Sequence, residues 1–454
     1  MEALIVLFLT GLISMFIAMA KKPVLVLGTT TIGILTAISS SIYQTNYPYK
    51  WLNYDGLEFD DFVGYTILVL ILGLLIILVG YSKFKDEPEH TGEYMSLLTF
   101  SLCGVLCMLA FTDMFMFFIG LEILSIPIYV MAGSRKKDLR STEASLKYFF
   151  TGAFATGVLL FGIALLYGAT GTFKLEEIAA AIQNPESHSA LLYVGVLLIL
   201  ASFLFKIGAV PFHFWSPDVY EGSPNVVTAF MASVVKLAAF GAFMKLFFIA
   251  FEEIRDFWMP ILVALSILTM FVGNLSALRQ TTFKRLIAYS SITHVGYALM
   301  TIIDSGDQFN ASENLWIYFF AYGFSTIALI TVSLILNDDD DLLSNYKGFA
   351  RKNPFAGFVM ILALLSLAGV PPLAGFFGKY LIFSSLITQQ PILVIIALAN
   401  SGIAIYYYLK LIRIALEKNE ENEQAYTINL RHKIILGICA LVIIFGGILT
   451  WIMN

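Results

Sequence analysis

Apolar runs of about 20 residues, the length that crosses ~30 Å of hydrocarbon at 1.5 Å per residue, recur along the whole chain between short polar segments. No polar stretch is long enough to fold as a separate soluble domain, so a hydrophilic partner must be another chain. Composition agrees. Of 454 residues, 59% are hydrophobic and 13% charged, whereas soluble domains are roughly half apolar and about a quarter charged. The mean hydropathy is +0.83, and the chain reads as an integral membrane protein.

Reading the runs between polar punctuation predicts an all-α polytopic protein with about fourteen spans. They are expected near 2–20, 23–43, 62–82, 94–111, 113–133, 145–168, 189–215, 226–250, 257–279, 284–303, 313–336, 355–388, 391–415 and 431–452. The Met-Glu start has no positively charged leader, and the first run leads into Lys21 and Lys22. It is therefore expected to be a span rather than a cleaved signal.

Lysine and arginine set the orientation. Loops after odd-numbered spans hold Lys21, Lys22, Lys83, Lys85, Arg135, Lys136, Lys137, Arg140, Arg279, Lys284, Arg285, Lys347, Arg351, Lys352, Arg413, Lys418, Arg431 and Lys433. Loops after even-numbered spans hold Lys50, Lys174 and Arg255. Odd loops are then cytoplasmic and both termini lie outside. A bacterial inner membrane fits, and an organellar membrane remains open on this ground. The run Asp338 to Asp341 is expected in a solvated cytoplasmic loop, and Phe173 to Ile182 as a short amphipathic surface helix.

Some charges do not go to the loops. Lys147, Lys206, Lys236, Lys245, Lys379, Lys410, Glu122, His213 and His294 lie within or at the ends of spans. Lys245 and Lys410, near helix ends, are expected to snorkel. Glu122 falls about 13 Å along the fifth span and Lys236 about 15 Å along the eighth, both near the midplane. Glu122, Lys206, Lys236 and Lys379 left unpaired would together cost on the order of 10 kcal/mol, comparable to the stability of a whole domain. A helix-locking ion pair would account for one lysine. It would not account for three, so some must face water or titrate. Burial disfavours the charged form of an amine and a nearby carboxylate favours it, which makes such lysines, with an intervening histidine, candidates for proton carriers.

The seventh span contains "FKIGAVPFHF" and the twelfth "LAGVPPLAGFFGKY". Proline removes a helix hydrogen bond and frees carbonyls that hydrocarbon cannot satisfy, so a break survives only beside protein or a watery cavity. A plain kink would serve packing alone. Two matched breaks, each with a lysine and lying on spans of opposite direction, predict inverted five-helix repeats. The expected organisation is a three-helix segment over 1–93, repeats over 94–250 and 251–416, and a loop with the last span over 417–454.

The segments "FIGLEILSIPIYVMAG", "STEASLKYFFTGAFATGVLLFGIALLYGATGT", "LFKIGAVPFHFWSPDVYEGSP" and "LAGVPPLAGFFGKY" resemble the antiporter-like subunit N family of bacterial NADH:quinone oxidoreductase, respiratory complex I. The likeness covers roughly residues 113–380. It implies a fourteen-helix fold with two inverted repeats and broken seventh and twelfth helices, in a membrane-arm subunit that moves protons. Residue by residue, it implies that Glu122 is the fifth-span carboxylate, Lys206 its broken-helix partner, Lys236 the central lysine and His213 the histidine beyond the break. Lys379 matches the lysine near the exit half-channel, and Lys147 a sixth-span lysine. The sister subunit M would carry glutamate at Lys379, and subunit L a long C-terminal extension. Asn225 and Val226 stand where the family more often has Thr-Pro.

The resemblance further implies that NADH, FMN, iron–sulfur clusters and quinone belong to other subunits. Its partners would be the antiporter-like M subunit, the small A, J and K subunits and the lipid bilayer. The sequence itself has no G-x-G-x-x-G in a strand-to-helix setting and no P-loop. Its 3 cysteines, Cys103, Cys107 and Cys439, form no metal-binding pair and are expected as apolar packing residues. No cofactor, metal or nucleic acid is expected on this chain. The leading expectation is a relay in which a shift at Glu122 loads or releases a proton on Lys206, which passes it through Lys236 to Lys379. The alternatives are an Mrp-type sodium/proton antiporter subunit, separable by its gene neighbours, and a scaffold whose lysines only hold helices together.

Overall fold

The computed structural model describes residues 1–46, 56–58, 62–84, 88–184, 188–304, 306, 308–336, 341–418 and 426–453. Lys50, Lys85 and Asp338 to Asp340 lie outside them. Chain order runs α1 Glu2–Ala18, α2 Pro23–Asn46, α3 Val63–Phe84, α4 Pro88–Ala110, α5 Met114–Ala132, α6 Leu139–Thr170, α7 Leu175–Ile182, α8 Ala190–Ile207, α9 Trp215–Gly222 and α10 Asn225–Phe230. It continues with α11 Lys236–Ile249, α12 Arg255–Ala277, α13 Phe283–Ile303, α14 Gln308–Leu336, α15 Phe349–Lys352, α16 Pro354–Ala368, α17 Ala374–Leu386, α18 Pro391–Leu416 and α19 Leu430–Met453. There is no β-strand among the described residues. Among the described residues twelve helical stretches are long and apolar enough to cross a bilayer, and α1 and α16 are shorter apolar helices. The protein is a multi-pass membrane protein.

Helix starts follow capping chemistry as well as hydropathy. The Asp113 carboxylate accepts from the Met116 amide at 2.7 Å and opens α5, while Asp138 accepts from the Arg140 amide at 2.9 Å. That second cap starts α6 at Leu139, six residues before the expected apolar boundary, because a capping side chain satisfies amides that would otherwise be orphaned. The expected surface helix forms as α7, with Leu175, Ile178 and Ile182 buried and Glu176 and Glu177 exposed.

The chain divides into two compact units. The first comprises Met1–Ile207 and Gly222–Met259 and the second Gly208–Glu221 and Pro260–Asn454. In the first, α4 and α5 approach until only glycine fits between them. A Cβ on Gly104 would lie 2.3 Å from the Leu124 amide nitrogen, and one on Gly120 would lie 2.9 Å from Met108 N. Small residues permit this close approach, which suits helices whose association cannot draw on hydrophobic burial alone. In the second, α14, α16, α17 and α19 pack together, and α13 and α18 bring buried polar side chains.

Both expected interruptions are present. After α8 ends at Ile207, residues 208–214 are non-helical before α9, and after α16 ends at Ala368, residues 369–373 are non-helical before α17. Gly208 and Gly369 carry φ of 75° and 85°, the left-handed region that glycine enters without a Cβ clash. The seventh apolar run is therefore α8, a break and α9, and the twelfth is α16, a break and α17.

Candidate functional site

In the first unit, Glu122, Lys206 and Lys236 come from α5, α8 and α11. Lys206 is buried at 4% exposure, and its Nζ donates to Ser125 Oγ at 2.6 Å. Ser125 in turn donates to the Leu121 carbonyl, closing a turn of α5. Lys206 Nζ also lies 5.9 Å from the centroid of the Tyr148 ring, which meets Tyr129 edge-on at 4.6 Å. Glu122 stands on α5 three residues before Ser125. No direct ion pair joins it to Lys206, and the buried Glu122 Oε1 has no hydrogen-bond partner among the described residues. Ser125, rather than a carboxylate, is the hydrogen-bond acceptor of Lys206 Nζ.

Lys236 is buried at 2% exposure and begins α11 directly after a π-helical turn, Met231–Val235. The stretch from Asn225 to Ile249 is continuous, and it is buried from Asn225 to Phe248. Such π turns insert a residue into the helical ladder and re-aim the side chains beyond it, and they are frequent at functional sites. Lys147 on α6 is part-exposed, with Nζ 4.0 Å from Glu143 on the same helix. Lys245 does not snorkel. It is buried, its Nζ 5.6 Å from the ring centroids of both Phe62 and Phe111, because two aromatic faces offer the ammonium a nearer partner than water does. Lys410, by contrast, is exposed.

In the second unit, Lys379 on α17 reaches back to the break before its own helix. Its Nζ donates to Leu367 O at 2.9 Å, Ala368 O at 3.1 Å and Ser401 Oγ on α18 at 3.2 Å, with the Tyr297 ring centroid 4.9 Å away. The carbonyls freed by the break are therefore satisfied by the lysine, and the negative end of α16 faces its ammonium. His294 on α13 is buried, with Nδ1 hydrogen-bonded to Tyr318 and Nε2 3.2 Å from the Tyr408 hydroxyl, which also bonds Ser290. Nearby, Asn274 binds Asn400 and accepts from Thr293 and Tyr407. His213 lies in the segment after the first break, buried, with its ring 4.3 Å from that of Phe214 and Nδ1 without a hydrogen bond among the described residues.

The reading of Asp341 as solvated needs correction. It is buried, accepts from the Lys284 amide at 2.7 Å and from Ser333 Oγ at 3.3 Å, and so caps α13 rather than facing solvent. Lys284, also buried, donates from Nζ to Glu221 O at 3.0 Å. Arg285 Nη1 reaches both Asp218 at 2.7 Å and Glu221 at 2.9 Å. Cys103, Cys107 and Cys439 are buried and unbridged. Among the described residues no group of His, Cys, Asp or Glu converges as a metal site.

The sequence reading missed Ser125, Tyr148, Tyr297, Ser401 and the tyrosines around His294. The spacing of Ser290, His294 and Tyr297 at four and three residues on one face of α13 was the available signal.

Residues 112–404 match the family described as NADH:quinone oxidoreductase/Mrp antiporter, TM. A protein of Cytophaga hutchinsonii named NADH-quinone oxidoreductase subunit N is 39% identical over 428 residues, covering 93% of this chain and 91% of its own. Its namesake from Flavobacterium psychrophilum is 33% identical over 439 residues, covering 96% and 95%. The chain belongs to the NADH-quinone oxidoreductase subunit N family. The likeness extends to structure. A chain of respiratory complex I from Thermus thermophilus with bound aureothin has a TM-score of 0.85 at 30% identity, over 99% of this chain and 97% of that one. A chain of the Mrp complex from Dietzia sp. DQ12-45-1b has a TM-score of 0.84 at 18% identity, over 100% and 96%, a likeness of fold alone.

Proposed function

We propose that this chain is the proton-translocating N subunit of the membrane arm of an NADH:quinone oxidoreductase, a translocase driven by quinone reduction elsewhere in the complex. Glu122, Lys206, Lys236 and Lys379 serve as stations in that order, with His213 on the cytoplasmic branch and Lys147 as an accessory at the mouth. The observation that carries this reading is the state of Lys206, a buried ammonium held by the Ser125 hydroxyl while Glu122 Oε1 stays without a hydrogen bond. A lysine locked to a carboxylate would keep its proton, whereas one held by a hydroxyl can exchange it when the carboxylate moves.

In this proposal the chain makes fourteen crossings, with α8–α9 and α16–α17 as the broken helices of two inverted repeats over 94–250 and 251–416, flanked by 1–93 and 417–454. It sits in a bacterial inner membrane with both termini on the periplasmic side, against the M, A, J and K subunits. NADH, FMN, iron–sulfur clusters and quinone are held by other subunits. The test is Lys206→Ala and Lys236→Ala in the assembled complex, with proton uptake and quinone-reductase turnover measured together. Loss of pumping at normal assembly is expected, and full pumping at unchanged assembly would overturn the relay. Sodium-dependent transport without a quinone-reducing partner would favour the Mrp-type antiporter instead.

A further inference from the structure

The pocket around Lys379 is built almost wholly of acceptors. Leu367 O, Ala368 O and Ser401 Oγ stand 2.9, 3.1 and 3.2 Å from Nζ, and the Tyr297 ring face lies beyond them. An ammonium has three N–H donors and no lone pair, so three oxygens match it one for one. A neutral amine has two N–H donors and one lone pair. Carbonyl oxygens and a ring face cannot donate to that lone pair, but a hydroxyl can. Ser401 Oγ lies 3.4 Å from Ala368 O, which accepts its proton while Lys379 is charged. Rotation about one bond turns that same proton toward Nζ.

No carboxylate takes part. Lys379 forms no ion pair among the described residues. Of the titratable groups on the helices around it, Tyr297 on α13 turns its ring to Nζ, Tyr318 on α14 lies beside Gly378, and Tyr380 follows on α17, while His294 is hydrogen-bonded to Tyr318 and Tyr408, and Tyr407 to Asn274. Helix α16 carries no titratable side chain, and α19 meets α17 through Gly446 and Gly447 against Ala374 and Phe377. The first unit repeats the device independently: Ser125 accepts from Lys206 and donates to the carbonyl of Leu121.

We infer that Ser401 is a positioning residue that lets Lys379 give up its proton, its hydroxyl accepting from the ammonium and turning to donate to the free amine. This rests on the proposed role of Lys379 as a proton carrier. In Ser401→Ala the ammonium loses one of its three oxygens and turns that N–H to the Tyr297 ring face, while the amine loses the one hydroxyl among the described residues that donates to its lone pair. The uncompensated loss therefore falls on the neutral form, and release needs a higher pH.

The test uses the intact complex in proteoliposomes, carrying Ser401→Ala, Ser401→Thr or Lys379→Ala, with pumping and turnover followed across about pH 6 to 9. Ser401→Ala is expected to pump poorly near neutrality and recover as pH rises, its profile displaced upward by about half to one pH unit, the worth of one hydrogen bond. Ser401→Thr, which keeps the hydroxyl, is expected to follow the wild-type profile. An unshifted Ser401→Ala profile, or an equal loss at every pH that threonine does not rescue, overturns the inference. Unchanged pumping in Lys379→Ala overturns the carrier reading beneath it, whereas loss there beside an unshifted Ser401→Ala removes the hydroxyl's role alone.

Discussion

Lys206 and Ser125 are joined by a 2.6 Å hydrogen bond between helices far apart in the chain, and Glu122 stands three residues before Ser125 on α5. The ammonium is thus held by a hydroxyl and not by a carboxylate. A closed buried ion pair is hard to open, because removing either partner leaves a charge without compensation. A hydroxyl intermediary keeps the lysine hydrogen-bonded in both charge states. Ser125→Ala is therefore expected to leave Lys206 without its acceptor, costing about 1 to 3 kcal/mol, and to depress proton uptake more than assembly. Ser125→Thr, which preserves the hydroxyl, is expected to recover most of the uptake in the same vesicles.

The seam between α4 and α5 sets the position of Glu122 and Ser125. Gly104→Ala would push a Cβ to 2.3 Å from Leu124 N and 2.7 Å from Gly120 O, backbone atoms that cannot turn aside. The helices must separate, at a cost of about 1 to 3 kcal/mol. Gly157→Ala on α6 meets nothing within 4 Å and gains about 1 kcal/mol of helix propensity. Thermal unfolding of the purified chain in detergent should show a lower Tm for the first variant and an unchanged or higher Tm for the second. Equal behaviour of the two would show that the seam accommodates a Cβ and does not fix the helix spacing.

The helices were legible because crossing a bilayer demands runs of a set length, and the breaks because glycine and proline at that depth need a reason. Lys206, Lys236 and Lys379 stood out for the same cause: charge in an apolar run is costly. Ser125 and Ser401 did not stand out. A hydroxyl barely changes the hydropathy of a helix, and its importance comes from a lysine 81 and 22 residues away in sequence. Asp341 was misread for a related reason, since the amide it caps lies 57 residues earlier and no local spacing announces it. Lys245 lay near a helix end as expected. The rings of Phe62 and Phe111, contributed by other segments, decide its burial.

The Tyr408 and Tyr407 hydroxyls offer a paired comparison on adjacent residues of α18. Tyr408→Phe removes a hydrogen-bond partner from His294 Nε2 and from Ser290 together, both on buried residues. A loss of about 1 to 3 kcal/mol is expected. Tyr407→Phe removes one donor from Asn274 Oδ1, which still accepts from Thr293 at 3.2 Å. Its cost is expected near or below 1 kcal/mol. Both substitutions keep the ring, so unfolding midpoints report the hydroxyls. The reverse ranking would show that His294 does not depend on Tyr408.

Arg285 ties α13 to the helix after the first break. One nitrogen, Nη1, donates to Asp218 at 2.7 Å and Glu221 at 2.9 Å, while Nε reaches Gln280 Oε1 at 3.3 Å. The side chain is 29% exposed, so water and salt screen these charges in part. Arg285→Ala is expected to lower stability by about 1 kcal/mol rather than by the several kcal/mol of a fully buried pair. Because Lys284 still holds the Glu221 carbonyl at 3.0 Å, α9 should loosen without detaching. A double-mutant cycle with Glu221→Gln should give a coupling of about 0.5 to 1 kcal/mol that shrinks as salt is raised. A coupling of zero at low salt would mean that Arg285 positions α9 by packing alone, and the ion pairs would then have no part in holding the segment that carries His213.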